Sequence, residues 1–64
     1  MSNFEKVIDE LKKDSKIFSI FETLVYRGWD VDARNYLMDA TSATLETAQR
    51  VNELVNAGEI RYYL

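Results

Sequence analysis

The sequence predicts a mainly α fold, four short helices followed by a minimal β element, and three observations carry that expectation. Apolar residues recur at i, i+3, i+4 and i+7 along most of the chain. Residues that start helices, Ser2, Asp14 and Thr44 among them, precede these stripes, and the two glycines, Gly28 and Gly58, follow two of them. Only the segment from Glu59 onward alternates in the manner of a strand.

Ser2-Asn3-Phe4-Glu5 has the form of a capping box, in which Ser2 accepts from the Glu5 amide and Glu5 reaches back to the Ser2 amide. The first helix starts there and buries Phe4, Val7, Ile8 and Leu11. Asp14-Ser15 opens a second helix with a broader apolar face, Ile17, Phe18, Ile20, Phe21, Leu24 and Val25, either separate from the first or continuous with it as a bent rod. Gly28 closes it, because glycine alone takes a left-handed backbone without a Cβ penalty.

Trp29-Asp30-Val31 is long enough for a short strand or bridge, with Trp29 expected in the core. Asp30 or Asp32 then caps a third helix over residues 33–39, with Tyr36 and Leu37, and Ala33 and Ala40 beside them, facing inward. Thr41-Ser42-Ala43-Thr44 is rich in hydroxyls that cap backbone groups and reads as a tight helix-helix turn. A fourth helix runs from Thr44 or Leu45 to Ala57, burying Leu45, Ala48, Val51, Leu54 and Val55, and Gly58 ends it. In the strand expected over residues 59–64, Ile60, Tyr62 and Leu64 alternate with Arg61 and Tyr63.

A length of sixty-four residues sets the expectation of a single domain over residues 1–64, without a linker or second module. A chain with neither Cys nor His forms no disulfide and lacks the ligands of the usual structural zinc sites. The same absence removes the commonest general base and the strongest side-chain nucleophile, so no enzyme activity, cofactor or metal is expected. No apolar run approaches a membrane span and the N-terminal stretch does not read as a signal, which sets the expectation of a cytoplasmic protein.

Net charge is −3, and the excess lies in the second half of the chain: residues 1–27 carry five basic and five acidic groups, residues 28–64 three and six. That balance disfavours unaided attraction to phosphate.

Residues 31–60 resemble the helix-turn-helix of winged-helix domains. Val31-Asp32-Ala33-Arg34-Asn35-Tyr36-Leu37-Met38 looks like the supporting helix, and Thr41 to Thr44 like the turn. Leu54-Val55-Asn56-Ala57-Gly58-Glu59-Ile60 is similar to the end of a recognition helix, where a core leucine, a glycine four residues on and a β-branched residue start the wing. The resemblance implies a winged-helix-like fold whose second wing strand is absent, because no residues follow Leu64 to build it.

The same resemblance implies a small DNA-binding transcriptional regulator, dimeric on double-stranded DNA, with Ser42, Thr44, Glu46, Thr47, Gln49, Arg50 and Asn56 at the contact surface. Arg50 pairs with guanine, Gln49 with adenine and Glu46 with cytosine in such a docking. Against it, Glu46 and Glu53 face a polyanion, and a Glu46–Arg50 pair on a solvated helix face explains the same residues. Lys12, Lys13, Lys16, Arg27, Arg34 and Arg61 are the candidate phosphate contacts, and they are dispersed. The alternative is an acidic protein-protein interaction module, or an inhibitor on the same scaffold, using the fourth helix or the edge formed by Arg61, Tyr63 and Leu64, which also suits a homodimer.

Overall fold

The structure is a computed structural model and describes residues 1–61. Four helices follow one another, α1 (Asn3–Lys13), α2 (Ser15–Tyr26), α3 (Asp30–Ala40) and α4 (Leu45–Asn56), and the described residues contain no strand. The mainly α expectation therefore holds. The segment expected to form a strand or bridge does not: Asp30 and Val31 are the first residues of α3, and residues 59–61 are not paired as a strand. Tyr62, Tyr63 and Leu64 lie outside the described residues.

Each helix end has a local cause. Ser2 and Glu5 form the capping box, with the Glu5 amide donating to Ser2 Oγ at 3.2 Å and the Ser2 amide to Glu5 Oε1 at 3.3 Å. Asp14 separates α1 from α2 and serves both: its amide donates to Leu11 O, and its carboxylate accepts from the amides of Lys16 and Ile17. The first two helices are thus distinct elements. α2 and α4 close in the same way. Gly28 and Gly58 stand at φ 78° and 76°, their amides donate to Val25 O and Val55 O, and the next amides, of Trp29 and Glu59, reach back to Leu24 O and Leu54 O. Both ends are Schellman motifs, which satisfy carbonyls that a helix terminus otherwise leaves open.

α3 begins earlier than its capping residues suggest. Trp29 occupies the N-cap position with no side-chain cap bond, and Asp30 and Asp32 fall inside the first turn, where their charges suit the helix dipole. Trp29 is consequently 51% exposed, contrary to the expectation of a core residue, with the Arg27 guanidinium 5.4 Å from its ring centre.

The core comprises Val7 and Leu11 of α1, Phe18, Phe21 and Val25 of α2, Ala33 and Leu37 of α3, Ala43 in the turn, and Ala48, Val51 and Val55 of α4. α2, α3 and α4 pack on one another, and α1 packs on α2 and α4. Phe4, Ile8, Ile17, Leu24, Tyr36, Met38 and Ile60 are half-buried around this cluster. Leu45 departs from its expected inward position. As the first residue of α4 it lies beside the turn, on the outer side of the stripe, and is 51% exposed.

Candidate functional site

The turn between α3 and α4 is built from hydroxyls and braced from outside by α1. Thr41 Oγ1 donates to Leu37 O at 2.7 Å and accepts from the Ala43 amide at 3.2 Å, ending α3 and turning the chain. Thr44 caps α4, its Oγ1 accepting from the Thr47 amide at 3.3 Å. Asn3 of α1 then clasps both sides of the turn: its Nδ2 donates to Ser42 O at 2.9 Å, and its Oδ1 accepts from the Thr44 amide at 3.1 Å. Glu10, two turns further along α1, accepts from the Ser42 amide at 3.0 Å and hydroxyl at 2.6 Å. The Ser42 hydroxyl, then the Ser42 amide, hold the Glu10 carboxyl below its ordinary pKa, because both bonds favour the charged form.

This bracing divides the residues that the sequence marks as a DNA-contact surface. Ser42 and Thr44 are engaged by α1. Thr47 is buried, and its Oγ1 accepts from Thr44 Oγ1 at 3.2 Å. Arg50, the sole cation of α4, holds its guanidinium 4.0 Å from the ring centre of Phe4, on the side of α4 that meets α1. Glu46, Gln49 and Asn56 are exposed, together with Glu53. Among the described residues Glu46 and Arg50 do not form an ion pair; the one such pair is Lys13 with Asp9, at 3.0 Å along α1. Arg61 donates from Nε to Gly58 O at 3.1 Å, while its expected edge partners Tyr63 and Leu64 lie outside the described residues.

Arg50 is also exposed, and the side of α4 away from Phe4 presents Glu46, Gln49 and Glu53 at i, i+3 and i+7. On its α3 side this face deepens into a cleft of about 410 Å³ lined by Asp30, Arg34, Gln49, Asn52, Glu53 and Asn56. Asn52 is only 8% exposed. Its Nδ2 donates to Asp30 Oδ1 at 3.3 Å, and its Oδ1 is buried without a hydrogen-bond partner.

The sequence reading passed over Asn52 and Asp30 as a pair. The signal for Asn52 was present, since it lies four residues after Ala48 and three before Val55, which places a polar side chain within the buried stripe. Its pairing with Asp30, 22 residues away, depends on how α3 crosses α4 and has no sequence signature.

Among the described residues no group of three or more His, Cys, Asp or Glu is placed to hold a metal ion. No helix among them is long and apolar enough to cross a membrane. Comparison with known proteins adds no relative: no protein-family model, curated protein or solved structure matches the chain.

Proposed function

We propose that this chain is a small docking module on a helix-turn-helix scaffold, and that the open face of α4 binds a basic segment of another protein. The observation that carries the reading is the charge of that face: Glu46 and Glu53 are exposed on it, while the only cation of α4 is turned onto Phe4 of α1. Carboxylates so placed repel a phosphate backbone and attract Lys and Arg, steering the encounter with a cationic partner. The winged-helix-like reading of the scaffold draws support from the four-residue turn between α3 and α4 and from Gly58, after which Ile60 packs back on the core. On that reading α4 is the presenting helix, used for a protein.

A DNA-binding regulator is the second reading, favoured by the exposed amides of Gln49 and Asn56, side chains that pair with base edges. One titration separates the two. Isotope-labelled protein is mixed at low salt with a hexalysine peptide and, separately, with mixed-sequence duplex DNA. The docking reading expects the peptide to shift the amides of Glu46, Gln49 and Glu53 and the duplex to leave them in place. Salt-sensitive shifts across residues 41–56 with duplex, at the roughly 10⁻⁴ M typical of nonspecific contact, would instead establish the DNA reading.

A further inference from the structure

We propose that the cleft between α3 and α4 is the seat of a single arginine side chain from the docking partner; this rests on the reading of α4 as a surface for a basic segment. Three features of the cleft point to a guanidinium. First, carboxylates stand on both of its walls, Asp30 at the start of α3 and Glu53 on α4, against the single cation Arg34. Neither carboxylate has an ion-pair partner among the described residues, whose one pair is Lys13 with Asp9. The cleft lining therefore carries two carboxylates against one cation, a net negative charge, and neither carboxylate is tied up in an ion pair with Arg34.

Second, Asn52, which lines the cleft, has an acceptor in want of a donor. Asp30, when ionised, only accepts hydrogen bonds, so the Asn52 atom 3.3 Å from it is the amide nitrogen and the atom left without a partner is the carbonyl oxygen. A side chain buried to more than nine-tenths with an unused carbonyl is a costly arrangement, and such groups in native proteins call for an explanation. A donor entering the cleft supplies one, once the groups that cover the buried Asn52 Oδ1 move aside.

Third, the number of donors suits. Arginine offers five N–H donors in one plane, enough to engage two carboxylates on opposite walls and still reach the Asn52 carbonyl, whereas lysine offers three from a single point. A cleft of about 410 Å³ accommodates the guanidinium and its aliphatic stem. Glu46, one turn before Gln49 and outside the cleft, is left to attract neighbouring cations of the same segment.

The test uses the intact chain and two small probes, the acetylated N-methylamides of arginine and of lysine, followed by the side-chain amide signals of Asn52 and the backbone amides of Asp30 and Glu53. The arginine probe is expected to move these signals with millimolar affinity, the lysine probe to bind at least threefold more weakly, and Glu53→Gln to weaken the arginine probe at least threefold. Glu53 is exposed, so this variant leaves the fold intact. Equal shifts from both probes, or an arginine response indifferent to Glu53→Gln, overturn the arginine seat. A hexa-arginine peptide that moves Glu46 and Gln49 while Asn52 and Asp30 stay still also overturns the seat but leaves the docking face standing. If that peptide moves none of them, both proposals fall.

Discussion

Glu10 in α1 accepts two hydrogen bonds from Ser42, 32 residues further along the chain, one from its amide and one from its hydroxyl. With the Asn3 clasp beside it, this contact fixes the α3–α4 turn to the N-terminal helix. α1 is thus part of the same packed unit as α3 and α4 rather than an appendage, a conclusion reinforced by the burial of Val7 and Leu11 in the shared core. The placement of the exposed α4 face therefore depends partly on α1.

Acid should loosen this brace, and Glu10→Gln should mimic part of the effect. The Glu10 carboxyl titrates lower in the folded chain than in the unfolded one, because Ser42 bonds its charged form. Its contribution is therefore present above the unfolded pKa and is lost as pH falls through the folded value. Glu10→Gln keeps the shape and one acceptor but removes the charge. The contact is solvent-exposed, so the expected cost at neutral pH is about 1 kcal/mol or less. Urea unfolding of both proteins across the acidic range checks this: the gap between them should narrow as pH falls, and a constant gap would show that the charge of Glu10 is immaterial.

Gly28 and Gly58 give a matched pair of substitutions. Both hold left-handed φ values, in which an added Cβ costs about 1–2 kcal/mol. A Cβ at Gly28 meets nothing within 4 Å, whereas one at Gly58 approaches Arg61 Nη2 at 3.1 Å. That atom ends a flexible, exposed side chain and can withdraw. Gly28→Ala and Gly58→Ala should therefore destabilise by similar amounts, each lowering the melting temperature by roughly 4–8 °C per kcal/mol in a domain of this size. A much larger loss at Gly58 would mean that Arg61 and its bond to the Gly58 carbonyl hold the end of α4 in place.

The helix boundaries were the most legible part of the sequence because their causes are local. Ser2 with Glu5, Asp14, Thr44 and the two glycines act within a few residues of themselves, and each stands where the sequence places it. Trp29 departs from its expected place because it precedes α3 and is not on a helical stripe, and Leu45 and Ile20, both exposed, because each sits at the outer edge of its stripe. The site was less legible for a different reason. Whether the exposed Arg50 extends freely or lies over Phe4 depends on where α1 docks, and the Asn3 contact beside it spans 41 residues. Glu46, Gln49 and Glu53 share a face by helical spacing alone, so that surface was readable, but the cleft beside it required α3.

Asn52 offers the sharpest separation of stability from function. Its carbonyl is buried without a partner, a state that costs about 1–3 kcal/mol, and its one hydrogen bond, to Asp30, is long at 3.3 Å. Leucine has nearly the same shape and no polar atom to satisfy. Asn52→Leu therefore removes a large penalty and a weak bond together, and Asp30, exposed at the start of α3, regains water. The expected outcome is a protein as stable as the parent or more stable by up to about 1 kcal/mol, read as an unchanged or higher melting temperature. Asp30→Ala acts in the opposite direction, because it strands the Asn52 amide as well as the carbonyl and removes a first-turn carboxylate from α3, with a cost of about 1–2 kcal/mol. If Asn52→Leu proves destabilising by more than about 1 kcal/mol, the Asn52–Asp30 contact is a structural tie between α3 and α4. If it is stabilising, the polar residue is held in the core at the expense of stability, as expected of a group kept for binding.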